Sequence, residues 1–350
     1  MSERLSATAL TEDIIALFRA AGVPEGPARI TAEDLVTADL EGLASHGAML
    51  VPMYLNRLRH GSITFDEAGQ VASKNGACTV LDARNALGQP VARQAVALAV
   101  GDAQASGLGA VAVRNANHMG ALGIYARMMA DHGCIGMATS NTRPLLPAPG
   151  GAEAQTGNNP LTIAAPSSGA FHAKTDMALS AASMGKIRNA AAAGESIPDT
   201  WATDANGVAT TDPGAAIKGM LLPAAGPKGF GLAFLLDLIG GGLSEGGIGP
   251  EVQGLYGDPS VPYGCTAFFL AIHVGHFTDS TAFADRAQAA LSRVSASTAA
   301  PGTDRVLAPG ERAATARTAA DGTCTITPAA RKALLAEAQT LGVSLRSFSE

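Results

Sequence analysis

The sequence GAVAVRNANHMG, residues 109–120, combines a run of apolar residues with a polar, asparagine-rich segment that follows it directly. The run predicts a buried β-strand, and the asparagines and Gly120 predict a turn after it. His118 is therefore expected just beyond the carboxyl end of a strand, where α/β proteins usually bind ligands. Ordinary loop polarity explains the same residues equally well, so both interpretations of His118 stand at this point.

Similar short runs occur on either side of this stretch, and alanine-rich helical segments such as residues 89–106 alternate with them. The other predicted strands are CTVLDA (78–83), IGMATSN (135–141), PLTIAAP (160–166) and TAFFLAIH (266–273). This alternation predicts a mixed α/β fold. A Rossmann domain would carry G-x-G-x-x-G between a strand and a helix, and neither Gly107-Leu108-Gly109 nor the glycines around Gly240 complete that spacing. We therefore predict a nucleotide-binding domain of a non-Rossmann type.

Both ends of the chain show helical periodicity instead. Helices are predicted from Thr11 to Gly22, over 30–43, 49–58 and 278–300, and from Pro328 to Leu341. We expect the two ends to pack together. The predicted domains are a helical, dimerisation domain formed by residues 1–75 with 280–350, and an α/β domain formed by residues 76–279.

Composition limits the classes of protein to consider. The 350 residues are 47% hydrophobic and 15% charged, as in a globular enzyme. The net charge is −6 with scattered Lys and Arg, which argues against nucleic acid as a partner. The longest apolar run, Gly231 to Leu243, is shorter than the roughly 20 residues needed to cross a bilayer, and charges interrupt the first residues where a signal peptide would be apolar. These features predict a cytoplasmic protein without a membrane partner.

Four cysteines occur far apart: Cys78, Cys134, Cys265 and Cys324. They form no CxxC pair and have no histidine at the spacing of zinc ligands. We predict buried free thiols and no metal site.

Ser45-His46-Gly47 lies at a predicted helix end, which would leave the imidazole on an exposed corner beside a hydroxyl. Histidine titrates near neutrality and suits proton transfer to a substrate oxygen. A histidine that only interacts with the helix dipole is the alternative, and by itself the more frequent one.

The segment GPKGFG, residues 226–231, opens an apolar helix, so free backbone N–H groups and the Lys228 ammonium could bind phosphate. A turn with a solvated lysine is the simpler interpretation. Residues 309–312 (PGER) alone indicate only a turn, and no G-x-S-x-G nucleophile elbow is present.

Together these segments resemble the malate/L-lactate dehydrogenase family that is unrelated to the Rossmann lactate and malate dehydrogenases. The motifs that carry the resemblance cover nearly the whole chain: ADLEGLASHG (38–47), NANHMGALG (115–123), SNTRPLLPAPGG (140–151), GNNPLTIAAP (157–166), TDMALSAASMGKI (175–187), WATDANGVATTDP (201–213), PKGFGLAFLLDLIGGGLS (227–244) and APGER (308–312).

The resemblance implies a helical part built from both chain ends, a central non-Rossmann nucleotide domain and a homodimer. It also implies NAD or NADP as cofactor and hydride transfer next to the carboxylate of a small substrate. A 2-oxo acid and its 2-hydroxy acid are the leading substrate pair.

By this similarity His46 is the proton donor, Ser45 orients it, and His118 lies near the nicotinamide as a catalytic or cofactor-binding residue. Tyr54 would bound the substrate pocket. The positions that match cofactor-binding residues of relatives are Asp176, Met177, Ala178, Ser180, Lys186, Lys228, Gly229, Pro309, Gly310 and Glu311.

Three positions depart from the family pattern. Leu50 stands where many relatives have an arginine that could bind the substrate carboxylate. Asn158 replaces the threonine of a Gly-Thr-Asn-Pro motif beside the substrate. Lys186 lies in a stretch where cyclic imine reductases carry an aspartate, which favours a keto acid over an imine as substrate.

Two other hypotheses remain open on the sequence alone. The first is a reductase of cyclic imino acids, piperideine- or pyrroline-2-carboxylate. The second is a non-catalytic nucleotide-binding relative, suggested by Leu50 and Asn158.

Overall fold

The computed structural model describes residues 3–348, and helices occupy both ends of this range. The α-helices are α1 (Ala7–Ala20), α2 (Glu25–Leu40), α3 (Val51–Arg59), α4 (Gly88–Ser106), α5 (Gly123–Asp131), α6 (Met184–Ala193), α7 (Pro213–Lys218), α8 (Pro227–Asp237), α9 (Ser280–Ser295), α10 (Glu311–Ala320) and α11 (Pro328–Leu341). A π-helical turn, Leu238–Gly242, extends α8. The predicted helices at both ends of the chain are therefore present.

The strands are β1 (Glu3–Ser6), β2 (Gln70–Asn75), β3 (Cys78–Asp82), β4 (Leu108–Ala116), β5 (Cys134–Ser140), β6 (Leu146–Pro147), β7 (Ala154–Thr156), β8 (Leu161–Ala165), β9 (Ala173–Met177), β10 (Cys265–His273) and β11 (Thr323–Ile326). Seven of them form one sheet in the order β2-β3-β4-β10-β5-β8-β9. Only the β3–β4 pair of this sheet is parallel. The five strands predicted from the sequence are all in this mixed sheet, so the mixed α/β class is confirmed.

Strand β4, which contains the apolar run of residues 109–113, lies at the centre of the core. Apolar side chains of β4, with Val111 and Val113 fully buried, pack against α4. Gly107 adopts a left-handed conformation (φ +90°) that ends α4 and turns the chain directly into β4. The NANHMG segment then leaves the sheet at the carboxyl end of β4.

The two ends of the chain meet, as predicted. β1 pairs with β11 in an antiparallel two-stranded sheet, and α11 packs against α1 and α3. Leu10, Leu17 and Phe18 of the first helix share a core with Ile326 and Leu334 from the end of the chain. This helical core is separate from the core of the sheet.

The structure differs from the sequence analysis in three details. Residues 70–75 form β2 and pair with β3, so the predicted domain boundary at residues 75–76 falls inside a hairpin. Helix α9 packs against β9 of the main sheet, although its residues were assigned to the helical domain. Cys78 is exposed on an edge hairpin, so the prediction of buried thiols is wrong for Cys78, while the other three free cysteines are buried.

Candidate active site

A cavity of about 290 Å³ opens where the central strands of the main sheet end. Because the strands there alternate in direction, the carboxyl ends of β4, β5 and β9 meet the amino ends of β8 and β10. The cavity is lined by Leu43, His46, His118, Met119, Gly120, Ala121, Leu122, Ser140, Asn141, Thr142, Asn158, Pro160, Asp176, Met177, Ala178, Ser183, Tyr263 and Cys265. Both predicted histidines therefore face one space, although 72 residues separate them in the chain.

His118 is held by a buried chain of hydrogen bonds. The amide Nε2 of Gln89 donates to the Tyr54 hydroxyl (3.0 Å), which in turn donates to Nδ1 of His118 (2.7 Å). The backbone N–H of Gly120 also donates to Nδ1, at 3.3 Å. Since Nδ1 accepts in these contacts, the network assigns the ring proton to Nε2.

His46 occupies a 3₁₀ turn, Ala44–His46, between α2 and α3. Its Nδ1 lies 2.9 Å from the Ser45 hydroxyl, and within residues 3–348 its Nε2 has no protein partner. Gly47 follows in an extended conformation, with φ at −97°. A side chain there would collide with Asp39, because an added Cβ would lie 2.0 Å from the Asp39 carboxylate. Close packing, rather than a left-handed turn, is thus what requires glycine after His46.

Both imidazoles are neutral at pH 7. Burial lowers the pKa of His46 below its ordinary value. Burial, and secondarily the charge of His46, lowers the pKa of His118 to about 3. The two rings stack with their centroids 5.8 Å apart, so protonation of one opposes protonation of the other. Only burial lowers the pKa of His46, so His46 is the ring that can take up a proton.

The far wall of the cavity offers groups suited to a nicotinamide nucleotide. Asp176, Met177 and Ala178 are exposed at the end of β9, and the Asp176 carboxylate accepts from the Gly123 N–H at the start of α5 (3.0 Å). Ser180, two residues further on, is buried, and its hydroxyl has no hydrogen-bond partner among the described residues. The ribose hydroxyls and the carboxamide of a nicotinamide nucleotide can form hydrogen bonds with an unpaired buried hydroxyl and an exposed carboxylate of this kind. The residues present therefore fit such a cofactor.

The structure gathers some of the predicted site residues and separates others. His46, His118, Asn158 and Asp176–Ala178 line the cavity, whereas Ser45 contacts His46 from outside the lining and Ser180 is buried two residues beyond Ala178. Tyr54 is fully buried and contacts His118 instead of forming the pocket wall. Leu50 is 1% exposed in the helical core. Neither side chain lines this cavity, so a substrate contact of Tyr54 or Leu50 stays a prediction.

The remaining predicted cofactor residues lie outside the cavity lining. Gly229 is buried against the Ala224 carbonyl, at the start of α8, and Lys228 beside it is exposed. Lys186 lies over the Trp201 ring, 5.9 Å from its centroid. Pro309 and Gly310 pack against His172 and Lys174 at the other end of β9, and Glu311 accepts hydrogen bonds from Ser295 and Ala308.

Several lining residues were not singled out from the sequence. Thr142 belongs to the SNTRPLLPAPGG motif, and its hydroxyl donates to Oδ1 of Asn158 (3.0 Å). Tyr263 and Cys265 come from a loop and strand that carried no motif. Burial raises the pKa of the Cys265 thiol, so this cysteine is a protonated lining group. Thr142 alone had a signal, its place in a quoted motif next to a strand end.

No group of three or more His, Cys, Asp or Glu side chains in residues 3–348 is arranged to hold a metal ion. Within the same range, every helix is too short or too polar to span a membrane.

Two imidazoles that face one cavity, beside the exposed carboxyl group of Asp176, fit the acid–base chemistry of a dehydrogenase. Comparison with known proteins agrees with this class. The malate/L-lactate dehydrogenase family model matches residues 5–334. The ureidoglycolate dehydrogenase (NAD(+)) of Escherichia coli strain K12 is 35% identical over 291 residues, which are 83% of each chain.

Solved structures give the same result. The sulfolactate dehydrogenase of Methanocaldococcus jannaschii superposes with a TM-score of 0.93 at 31% identity, over 99% of this chain and 100% of that one. The delta1-piperideine-2-carboxylate reductase of Pseudomonas syringae pvar. tomato has a TM-score of 0.85 at 25% identity, over 96% and 99% of the two chains. The chain belongs to the malate/L-lactate dehydrogenase family and is an oxidoreductase acting on CH–OH groups.

Proposed function

We propose that the protein interconverts a 2-oxo acid and the corresponding 2-hydroxy acid, with NAD or NADP as cofactor and His46 as the proton donor and acceptor. The observation that carries this proposal is the arrangement of His46. Its Nδ1 contacts the Ser45 hydroxyl, and its Nε2 is left for a substrate oxygen in a cavity shared with His118.

The serine hydroxyl supports both states of the imidazole. It accepts a hydrogen bond from Nδ1–H, which leaves the Nε2 lone pair for the hydroxyl proton of a 2-hydroxy acid. The same oxygen also stabilises the imidazolium that forms when Nε2 takes that proton. In the opposite direction the imidazolium returns the proton to the oxygen of the 2-oxo acid.

The Nε2–H of His118 is a fixed donor, because Tyr54 and Gly120 keep its Nδ1 as the acceptor. It stabilises negative charge on an oxygen without transferring a proton. The nicotinamide ring, when bound, supplies or accepts the hydride. Asp176 and Ser180 are the residues that would hold its nucleotide.

The test is an assay of nicotinamide absorbance with NADH and NADPH against pyruvate, oxaloacetate, sulfopyruvate and piperideine-2-carboxylate. Oxidation of either cofactor with a 2-oxo acid supports the proposal and identifies the cofactor. A protein that both nucleotides stabilise thermally, but that reduces none of the 2-oxo acids, contradicts it.

The second candidate function is reduction of a cyclic imino acid. The similarity to the piperideine-2-carboxylate reductase favours it. Oxidation of the cofactor by the imine alone would select this function.

We also propose that the protein works as a cytoplasmic homodimer. Four unpaired cysteines suit a reducing compartment. Exposed leucines and a phenylalanine on α8 suit a subunit interface.

A further inference from the structure

The cavity lacks a positive charge for the carboxylate of the proposed substrate. None of the described residues that line it is a lysine or an arginine, and the carboxyl group of Asp176 is among them. Leu50, at the position of the arginine in many relatives, is buried in the helical core. A carboxylate in this cavity therefore needs a cation from its rim.

Arg143 is the cation next to the cavity lining in the chain. It follows Thr142, which lines the cavity, and its side chain crosses Gly254, whose added Cβ would lie 3.4 Å from Cδ of Arg143. The loop from Gly254 leads to Tyr263, a second lining residue. Burial raises the pKa of Tyr263, and the positive charges of Arg57 and Arg143 oppose this rise, so both charges act on this lining residue.

Other cations in this region are engaged elsewhere, and Lys186 lies over the Trp201 ring. The buried guanidinium of Arg57 donates to the carbonyls of residues 254, 255 and 261. Lys174 is paired with Glu41 at 2.8 Å. Arg143 instead donates to the Pro144 carbonyl at 3.4 Å, and no ion pair to it occurs in residues 3–348.

The backbone that carries Arg143 is fixed from within the protein. Fully buried Asn159 accepts from the Thr142 N–H (3.1 Å), and its amide donates to Thr156 and to the Ala233 carbonyl. Asn158 accepts from the Thr142 hydroxyl. These hydrogen bonds hold the backbone next to Arg143 in place, so the Arg143 side chain is the part that can move.

We propose that Arg143 binds the carboxylate of the substrate and takes the place of an arginine at position 50. This inference rests on the proposed function for the identity of the substrate. The planar guanidinium can bind a carboxylate through two parallel hydrogen bonds, and the two oxygens of a 2-oxo acid carboxylate offer that geometry. Arg143 is then the residue that selects acids over neutral carbonyl compounds.

The experiment compares wild type, Arg143→Gln, Arg143→Lys and the control Arg293→Gln, which alters an exposed arginine of α9 outside the cavity lining. The first readout is the affinity for oxalate, an unreactive dicarboxylate, with and without saturating NADH or NADPH. We expect Arg143→Gln to weaken oxalate binding about 10- to 100-fold, the range of a lost hydrogen bond to a charged group. Arg143→Lys should lie between the two, and Arg293→Gln should match wild type.

The second readout is the KM for pyruvate and for its uncharged amide. Arg143→Gln should raise the KM for pyruvate by a similar factor, leave that for pyruvamide unchanged, and change kcat little. Equal oxalate affinities for wild type and Arg143→Gln, or no oxalate binding by wild type, would overturn the role of Arg143.

The two proposals fail separately. If wild type binds oxalate through Arg143 but reduces no 2-oxo acid, the proposed function fails and the anion site remains. If wild type reduces pyruvate and Arg143→Gln has the same KM, the proposed function stands and the role of Arg143 is overturned.

Discussion

His46 and His118 differ in what holds their Nδ1 atoms, and this difference assigns them different tasks. Nδ1 of His118 accepts from a buried tyrosine and a backbone N–H, and the pKa of the ring falls to about 3. Nδ1 of His46 contacts a serine hydroxyl that can donate or accept. His118 therefore stays a neutral donor through the working pH range, while His46 can change its protonation state.

Replacing His46 by glutamine tests this division of tasks. His46→Gln should lower kcat by about 10²- to 10⁴-fold, the usual contribution of a general acid or base. Stabilisation by the cofactor should persist, because the exposed groups at the end of β9 remain. His132→Gln, a change of an exposed histidine outside the cavity lining, is the control. Turnover retained by His46→Gln would exclude His46 as the acid/base.

The direction of the His46 pKa shift sets the pH dependence of wild type. Oxidation of a 2-hydroxy acid needs neutral His46, and burial lowers its pKa below the ordinary 6.5. The kcat/KM for oxidation should therefore be level above about pH 6.5 and fall at lower pH. Reduction needs the imidazolium and should become faster as the pH falls. Initial rates in both directions between pH 5 and 9 measure this, and an oxidation rate that still rises steeply above pH 7 would contradict it.

Tyr54→Phe tests whether the Tyr54 hydroxyl contributes to activity through its hydrogen bond to His118, and not only to stability. The change removes the donor to His118 Nδ1 and leaves Gln89 without its acceptor, so we expect a loss of about 1–3 kcal/mol in the free energy of unfolding. Tyr125→Phe removes another fully buried hydroxyl, bonded to Asp34 and Met119, and is the matched control. Urea unfolding should show losses for both variants, but kcat should fall only in Tyr54→Phe. Equal kcat values in the two variants would show that Tyr54 is structural only.

Residue types and motifs were enough to predict most of the polar cavity wall, but not the direction of each side chain. The helix predicted over 49–58 corresponds to α3, but the sequence did not predict the two 3₁₀ turns, Ala44–His46 and Ala48–Leu50, that precede it. These turns rotate Leu50 and Tyr54 into the interior. Helical spacing could not predict that rotation, because it depends on the close contact of Gly47 with Asp39.

At the scale of elements, the strands predicted from the sequence were those with apolar faces. β4, β5 and β10 bury alternate or consecutive side chains, so their residues are recognisably apolar. β2 (QVASKN) is exposed along its whole length at one edge of the sheet, and β9 (AKTDM) forms the other edge. Their backbones pair with a neighbour, but their side chains meet little core. Hydrophobic periodicity therefore gives no signal for them.

Arg57 joins two elements that border the site. Its guanidinium lies in the interior without a carboxylate partner, and burial lowers its pKa. It donates to three carbonyls of the loop that leads to Tyr263, and to Ser62. The charge is thus balanced by carbonyl dipoles.

Arg57→Met keeps the aliphatic volume and removes the donors. We expect a loss of about 3 kcal/mol in the free energy of unfolding, because buried acceptors lose hydrogen bonds to a charged group. The KM for the 2-oxo acid should also rise, since the loop under Arg143 loses its anchor. Arg59→Met, which breaks an exposed ion pair to Glu337, is the control and should cost less than about 1 kcal/mol. Urea unfolding that shows equal losses for both variants would contradict the anchoring role.

For the whole molecule, the core of the main sheet and the helical core are brought together by a chain whose ends meet, and a third apolar cluster includes Ala233 and Leu236 of α8. The helical core contains residues from both ends, and the site lies where α2 and the turn with His46 approach the edge of the main sheet. The sequence predicted this meeting of the ends because both ends are helical. It could not predict which surface stays uncovered, because that depends on the placement of α8.

Helix α8 has apolar residues on all sides. Ala233 and Leu236 face the interior, but Leu235 is 55% exposed. Further apolar side chains of α8 and of the turn after it are also exposed, namely Leu232, Phe234, Leu238 and Leu243. A helix that is apolar all round is normally buried, and a contiguous exposed apolar surface usually marks an interface. A second copy of this chain is the partner implied by the homodimer proposal.

Leu235→Asp tests whether this surface of α8 forms the subunit interface. Wild type should have about twice the chain mass of 35.1 kDa in light scattering, and Leu235→Asp should shift it to the monomer, because a carboxylate in a desolvated interface core is strongly unfavourable. Val208→Asp, at a position 63% exposed elsewhere on the surface, should leave the dimer intact. A monomeric wild type would refute the homodimer, and a dimeric Leu235→Asp would move the interface to another surface. If the variant is monomeric but still binds NADH or NADPH, each subunit holds its cofactor with its own residues.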